Sequence, residues 1–345
     1  MGDMEVSLNA YRFQNTGSEF INSSGLKSIM TQRSIEVLVH RFQDRELHAA
    51  HSGREVMSAF VELVSKSDAN TTIQIAEEVD SAIDYLLPNM PAYAPPINVL
   101  HKFLFEIERA VDQEKSVIEL KEQVMSLGEQ YHQWSQKARL DIVEISKELI
   151  PHNANIFTFT LSETVLTTLR NVWESGKRFD VSVTESRPNN DGVTTAKKLV
   201  ELGIPVLISI DSSIPEMLSN ADLMVVGAEA ILANGSAICK VGTYLATLVA
   251  YEFGIPVFVL VDTMKFDVSS KWGVESPLDP LNRSDFSEIY DIEDAEVGGH
   301  LFDITPAKYI QGIVTELGVL NPITCNDVMS RMSLSRGLLQ KLRDL

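Results

Sequence analysis

From Pro151 onward, short apolar runs alternate with helical patterns, and no other feature of the chain restricts its fold as much. Strands are expected at Asn155–Thr160, Phe179–Thr184, Ile204–Ile210, Leu223–Val226 and Val257–Val261. Helices are expected at Thr164–Ser175, Val193–Leu202, Ser213–Leu218 and Thr243–Phe253. Strands that are apolar on both faces and separated by helices build a mainly parallel sheet covered on both sides. Open sheets of this kind bind ligands at the carboxyl ends of their strands. The stretch from Val183 to Asp267 carries Arg187, Lys240 and Lys265 at such ends, so function is sought there.

Before residue 150 the pattern is helical throughout. Ile35, Val37, Leu38 and Phe42 recur at helical spacing, and so do Val56, Phe60, Leu63 and Val64. The pattern continues from Thr72 to Leu87 and stops at a loop holding Pro88, Pro91, Pro95 and Pro96, residues a helix interior rejects. It returns from Val99 to Val111, and a long polar helix runs from Ser116 towards Ile150. The chain therefore divides into a helical part, 1–150, and a sheet-bearing part, 151–345. In the second part the segment 270–300, rich in Asp, Glu, Ser and Pro, reads as an excursion. Ala307–Leu317 reads as a helix, and the tail from Cys325 as helical and docked back.

Composition enters mainly to exclude. At 345 residues there is room for two domains. A formal net charge of −19 argues against a general nucleic-acid or anionic-membrane binder, which needs clustered Lys and Arg. The two cysteines, Cys239 and Cys325, form no CxxC, so neither a disulfide framework nor a structural zinc is expected. His48 and His51 lie about one helical turn apart with no third ligand in view, so no metal is expected. The N-terminus lacks a signal-peptide pattern, and Val6 stands where myristoylation wants Ser or Thr. No apolar run is long enough to span a bilayer, and the expected location is the cytoplasm.

Several strand ends carry chemistry. Arg187, ahead of Asn189 and a helix start near Gly192, suits a phosphate, which takes both a guanidinium fork and free backbone N–H groups; it equally suits a structural network with Glu185 or an aspartate. Glu229 follows the strand LMVV and reads either as a general acid or base or as a partner for Lys240. Lys240, Gly242 and Thr243 open a helix and read as a phosphate cradle or as an ordinary glycine turn. Asn234-Gly235 signals a type I′ turn. Asp211 and Asp262 can hold a sugar hydroxyl or simply start a turn. Cys239, beside Lys240, is either a thiol of lowered pKa or a buried small apolar residue. Neither a Walker A loop nor a GxGxxG is present, so no dinucleotide and no other cofactor is expected.

The ordered series TESRP…G, IPV…ID, VGAEAILANG, KVGTY, IPVFV and KF, with the strand Asn155–Thr160 ahead of it, covers roughly Asn155 to Asp267. It resembles the superfamily of the regulatory alpha, beta and delta subunits of initiation factor 2B. That superfamily also contains ribose bisphosphate isomerase and methylthioribose phosphate isomerase. Asp303-Ile-Thr-Pro and Thr315-Glu-Leu-Gly-Val-Leu-Asn-Pro resemble its C-terminal segment. The resemblance implies an α/β fold: an all-helical N-terminal domain, then a Rossmann-like domain with a mainly parallel sheet that forms most of a dimer interface. It also implies a phosphosugar-type pocket at the domain junction. Carried over by position, Arg187, Lys240, Gly242, Thr243 and Lys265 line or shape that pocket, with Asn189, Gly192 and Asp211 beside them.

The departures decide the functional reading. Thr160 stands where the isomerases resembled here have a cysteine, Glu229 where they have the catalytic aspartate of a GAD motif, and Cys239 where they have an asparagine. A hydroxyl is a far poorer acid than a thiol, and glutamate displaces its carboxylate by one methylene. The proton-shuttling pair expected for aldose–ketose isomerisation is thus not intact, and the alpha subunits share the GAE sequence. The reading is a regulatory protein that binds a sugar or nucleotide phosphate and acts in translation initiation. Its expected partners are a second copy of itself and other initiation factor 2B or initiation factor 2 subunits. The alternative is an aldose–ketose isomerase for a phosphorylated ribose, with Glu229 and Thr160 as altered catalytic positions; a purely structural assembly protein is a third.

Overall fold

The structure, a computed structural model, describes residues 25–44, 46–47, 49–91, 93–273, 278–286 and 295–344. His48, Val6 and part of the 270–300 excursion lie outside the described residues. The helical half comprises α1 (Gly25–Gln43), α2 (Ala49–Lys66), α3 (Thr72–Leu86), α4 (Ala94–Asp112) and α5 (Val117–Leu149). Local chemistry sets their starts. The Thr71 hydroxyl accepts from Gln74 N, and Ser116 and Glu119 form a reciprocal capping box at the head of α5. Phe60 and Phe103 meet edge to face in the core at 5.5 Å.

The expected loop over Pro95 and Pro96 is corrected. Both prolines lie in the first turn of α4, where a missing N–H breaks no hydrogen bond. The helix therefore begins at Ala94, five residues ahead of Val99.

The second half runs β1 (Ala154–Thr158), α6 (Glu163–Glu174), β2 (Phe179–Thr184), α7 (Asp191–Glu201), β3 (Val206–Ser209), α8 (Ile214–Leu218) and β4 (Leu223–Val226). It continues with β5 (Ala230–Ile231), β6 (Ala237–Lys240), α9 (Thr243–Glu252), β7 (Val257–Leu260), β8 (Phe302–Thr305), β9 (Gly312–Thr315) and β10 (Gly318–Leu320). The chain closes with α10 (Cys325–Met329) and α11 (Arg336–Asp344). The main sheet has the order β10-β9-β7-β4-β1-β2-β3, parallel except for β10. Strand order reverses between β1 and β4, which makes a crevice at their carboxyl ends. A small antiparallel sheet, β5-β6-β8, stands beside it.

Two local expectations change. Ala307–Leu317 is not a helix: it contains β9, and β10 follows it. Ile310, Ile313, Val314 and Leu317 match a helical stripe, but β9 is buried on both faces, and such a strand has no alternation to show. The β5–β6 hairpin turns through Ala233–Gly235 with only Gly235 at positive φ (+80°), whereas a type I′ turn would need Asn234 there too. The tail is helical and docks back as expected, α10 through Cys325 and Met329 into the core of the sheet half and α11 into the helical half. Leu338 of α11 is fully buried in that core, and Glu108 of α4 accepts from Ser335 and from Gly337 N. Among the described residues, no helix is long and apolar enough to cross a membrane.

Candidate functional site

A cavity of about 390 Å³ opens at the β1/β4 switch, between the two halves of the chain. The helical half contributes Phe42, Leu47, His51, Pro91 and Tyr93. The sheet half contributes Thr160–Thr164 after β1, Asn189 and Asp191 after β2, Gly227–Glu229 after β4, and the buried lysines Lys240 and Lys265. Of the residues expected from sequence, the cavity brings together Thr160, Asn189, Glu229, Lys240 and Lys265. Arg187, Gly192, Asp211, Gly242 and Thr243 stand outside its lining.

Those five have identifiable work elsewhere. The two stretches that read as phosphate cradles are each filled by a carboxylate of the chain itself. In the loop after β2, Ser186 N and Arg187 N both donate to Asp211 at 2.8 Å, which takes Asp211 away from any sugar hydroxyl. The Arg187 guanidinium reaches Asn190, not Glu185. At the head of α9, Gly242 N (2.8 Å) and Tyr244 N (3.1 Å) donate to Asp303 of β8, and the Thr243 hydroxyl donates to Lys240 O. A helix N-terminus attracts an anion, and here the anion is internal. Burial pushes the Asp303 carboxyl up to about 6 in spite of those hydrogen bonds. Gly192 is required by packing, since a Cβ there would lie 1.7 Å from Thr184 O.

The groups that remain face the cavity. Lys240 Nζ lies 3.2 Å from Asp191 Oδ2, which also accepts from the Thr160 hydroxyl at 3.4 Å. Lys240 thus pairs with Asp191 rather than Glu229. Lys265 Nζ donates to Ala228 O. Glu229 has one carboxylate oxygen, Oε2, buried without a hydrogen-bond partner. Thr160 holds φ +65°, a left-handed conformation that is rare for a β-branched residue and costs on the order of 1–3 kcal/mol. Its carbonyl is fixed by the Thr195 hydroxyl at 2.8 Å. Asp262, the other candidate for a sugar hydroxyl, caps the turn Thr263–Lys265 by accepting from Met264 N, and burial raises its carboxyl pKa.

Cys239 is not an activated thiol. Burial, reinforced by the charge of Asp303, pushes it well above the ordinary range, and Sγ donates to Gly227 O. The sequence reading missed the head of α6 and Asp191. Ser162 caps α6 and, with Glu163 and Thr164, lines the cavity. A serine ahead of an apolar helical stripe, just after a strand, was the available signal. No comparable signal pairs Asp191 with a lysine 49 positions away.

The fold and the crevice define a Rossmann-like α/β protein whose helical half closes over the strand ends, with two buried lysines facing several carboxylates. The chain belongs to the Initiation factor 2 subunit family, which it matches over residues 47–322. It is 28% identical to ribose 1,5-bisphosphate isomerase of Pyrococcus furiosus, over 87% of this chain and 94% of that one. It is 29% identical to translation initiation factor eIF2B subunit alpha of Dictyostelium discoideum, over 79% and 88%. Among solved structures it resembles translation initiation factor eIF-2B of Pyrococcus horikoshii OT3, with a TM-score of 0.69, 26% identity, and 84% and 98% coverage. The fold is also that of 5-methylthioribose 1-phosphate isomerase from the same organism, with a TM-score of 0.69, 20% identity, and 90% and 87% coverage.

Proposed function

We propose that this chain is a regulatory, ligand-binding member of its family, whose crevice holds a phosphorylated sugar or nucleotide. The observation that carries the reading is the pair of buried lysines, Lys240 and Lys265, 9% and 7% exposed on the cavity wall. Lysines are almost never so buried unless paired; Lys240 pairs with Asp191, whereas the Lys265 ammonium donates to a backbone carbonyl, that of Ala228, with Asp262 as its nearby counter-charge. A phosphate can bridge both ammonium groups beside the first turn of α6. Glu229, with its unpartnered oxygen, suits a sugar hydroxyl.

The chemistry of the wall supports binding over turnover. Isomerisation needs an acid and a base poised near neutral pH. The Thr160 hydroxyl is not such an acid, and the Cys239 thiol is directed at a carbonyl with its proton firmly held. In this reading the protein works in the cytoplasm as a homodimer or with other subunits of the initiation factor, the helical domain of residues 1–150 reporting what the domain of residues 151–345 has bound.

A second reading, sugar-phosphate isomerase, is favoured by the isomerases among its relatives and by Glu229 at the strand end. One experiment separates the two. Ribose 1,5-bisphosphate and 5-methylthioribose 1-phosphate are titrated calorimetrically and then followed by NMR with the protein present. Saturable binding, abolished in Lys240→Met, without product is the expected result. Product formation from either compound refutes the regulatory reading, and absence of binding by both compounds refutes the phosphosugar pocket.

A further inference from the structure

The crevice lysine Lys265 sits on a short turn, Thr263–Lys265, that follows β7. Its own half of the chain holds that turn at one side: Asp262 accepts from Met264 N, Glu316 accepts from Thr263 N, and Asp267 N donates to Ile231 O. From the helical half, α4 reaches in with a hydrogen-bonding side chain. Asn98, on α4 and 3% exposed, donates through Nδ2 to Met264 O and to Phe266 O, both at 2.7 Å. The two carbonyls flank Lys265 directly.

Nothing about α4 itself calls for an asparagine there. Asparagine is a mediocre helix former, and this one leaves its Oδ1 buried without a partner. An apolar side chain of similar volume would suit the helix and its core better. What it would lose is the double donation across the junction.

We propose that Asn98 is a positioning residue: from the helical half it fixes the turn that carries Lys265, and so sets where the Lys265 ammonium stands in the crevice. The proposal rests on the phosphate-binding reading for its purpose, but not for its geometry. α4 also carries Glu108, which caps α11, so the helix that aims Lys265 is the helix that receives the C-terminal tail.

The test reads Lys265 directly. Wild type and Asn98→Leu are acetylated with limiting acetic anhydride, and the rates at Lys265 and Lys240 are followed by peptide mass spectrometry. Lys240 lines the same cavity and serves as the internal control. Losing both donated hydrogen bonds should accelerate Lys265 about fivefold relative to Lys240, whereas a general loss of stability would accelerate the two lysines alike. Asn98→Ala, which adds no bulk and has no donor, is the second variant should Asn98→Leu fold poorly. Equal acceleration of both lysines, or none at either, overturns the proposal.

Ribose 1,5-bisphosphate affinity is then measured in a double-mutant cycle. Asn98→Leu should weaken binding about tenfold in the wild-type background and not at all in Lys265→Met. Additive losses overturn the proposal. If wild type binds no phosphate while Lys265 still reacts selectively faster in Asn98→Leu, the positioning role stands and the phosphate reading falls.

Discussion

Asp303→Asn tests whether burial outweighs the hydrogen bonds that the head of α9 donates to Asp303. The wild-type carboxylate accepts from Gly242 N and Tyr244 N, yet its pKa stands near 6 instead of 3.8 because desolvation outweighs those bonds. For an acid with a raised folded pKa, the native state holds its proton more tightly than the unfolded state. Stability is then unaffected below about pH 4, falls as pH rises between about 4 and 6, and stays reduced at neutral pH. A shift of about two units corresponds to roughly 3 kcal/mol at full value, and to about 1–2 kcal/mol after discounting for the part of the side chain that water still reaches. Asparagine cannot ionise, and its carbonyl oxygen can accept from the same two N–H groups. Urea denaturation of both proteins from pH 4.5 to 7 should give nearly equal stabilities at the acid end. At pH 7 the variant should be the more stable by about 1–2 kcal/mol. Parallel profiles would show a carboxyl unshifted by folding, and a wild type that gains on the variant as pH rises would show a favourable charged cap; either refutes the reasoning.

His101 works in the opposite direction over an overlapping window. It is 1% exposed with neither ring nitrogen partnered, and burial lowers its pKa to about 4. The native state binds fewer protons than the unfolded one, so stability is full above about pH 6.5 and falls by up to about 3 kcal/mol as pH drops towards 4. His101→Leu should be at least as stable at pH 7 and should lose that acid sensitivity, as read from urea midpoints at pH 5 and 7. Gly192→Ala should cost about 3 kcal/mol, the upper end of overpacking, because the new methyl meets a backbone oxygen that cannot swing away; a near-wild-type denaturation curve would contradict this. Leu338→Ala should cost about 3 kcal/mol and loosen the tail, visible as faster hydrogen exchange in Arg336–Asp344.

Much of the architecture was legible because it depends on near neighbours. Helical stripes in the first half, and two-sided apolar runs between helices in the second, are patterns of a few residues each. They failed where two structures share one pattern. The spacing of Ile310, Ile313, Val314 and Leu317 serves a helix as well as it serves β9, and only burial on both faces separates the two. Pro95 and Pro96 failed for a related reason, since proline ends a helix or opens one according to which side the helix lies.

The crevice was legible to a lesser degree. Thr160, Asn189, Glu229, Lys240 and Lys265 were found by their places after strands, and the structure brings them to one cavity. Arg187, Asp211, Gly242 and Thr243 were found by the same rule and do not line it. The rule finds backbone that is ready for an anion. It cannot say whether the chain supplies its own.

The sequence alone determined the helical first half, the mainly parallel sheet after it, and the family. These follow from residue type and short-range order. Tertiary structure decided which anion-seeking groups are still available. Asp303 reaches the head of α9 from 61 residues beyond Gly242, and Asp211 fills the loop at Ser186 from 25 residues away. Asn98 holds the turn of Lys265 from the other half of the chain. Electrostatic satisfaction depends on distance in space, which spacing along a chain does not encode, so the same motifs read as cradles in the sequence are closed sites in the fold.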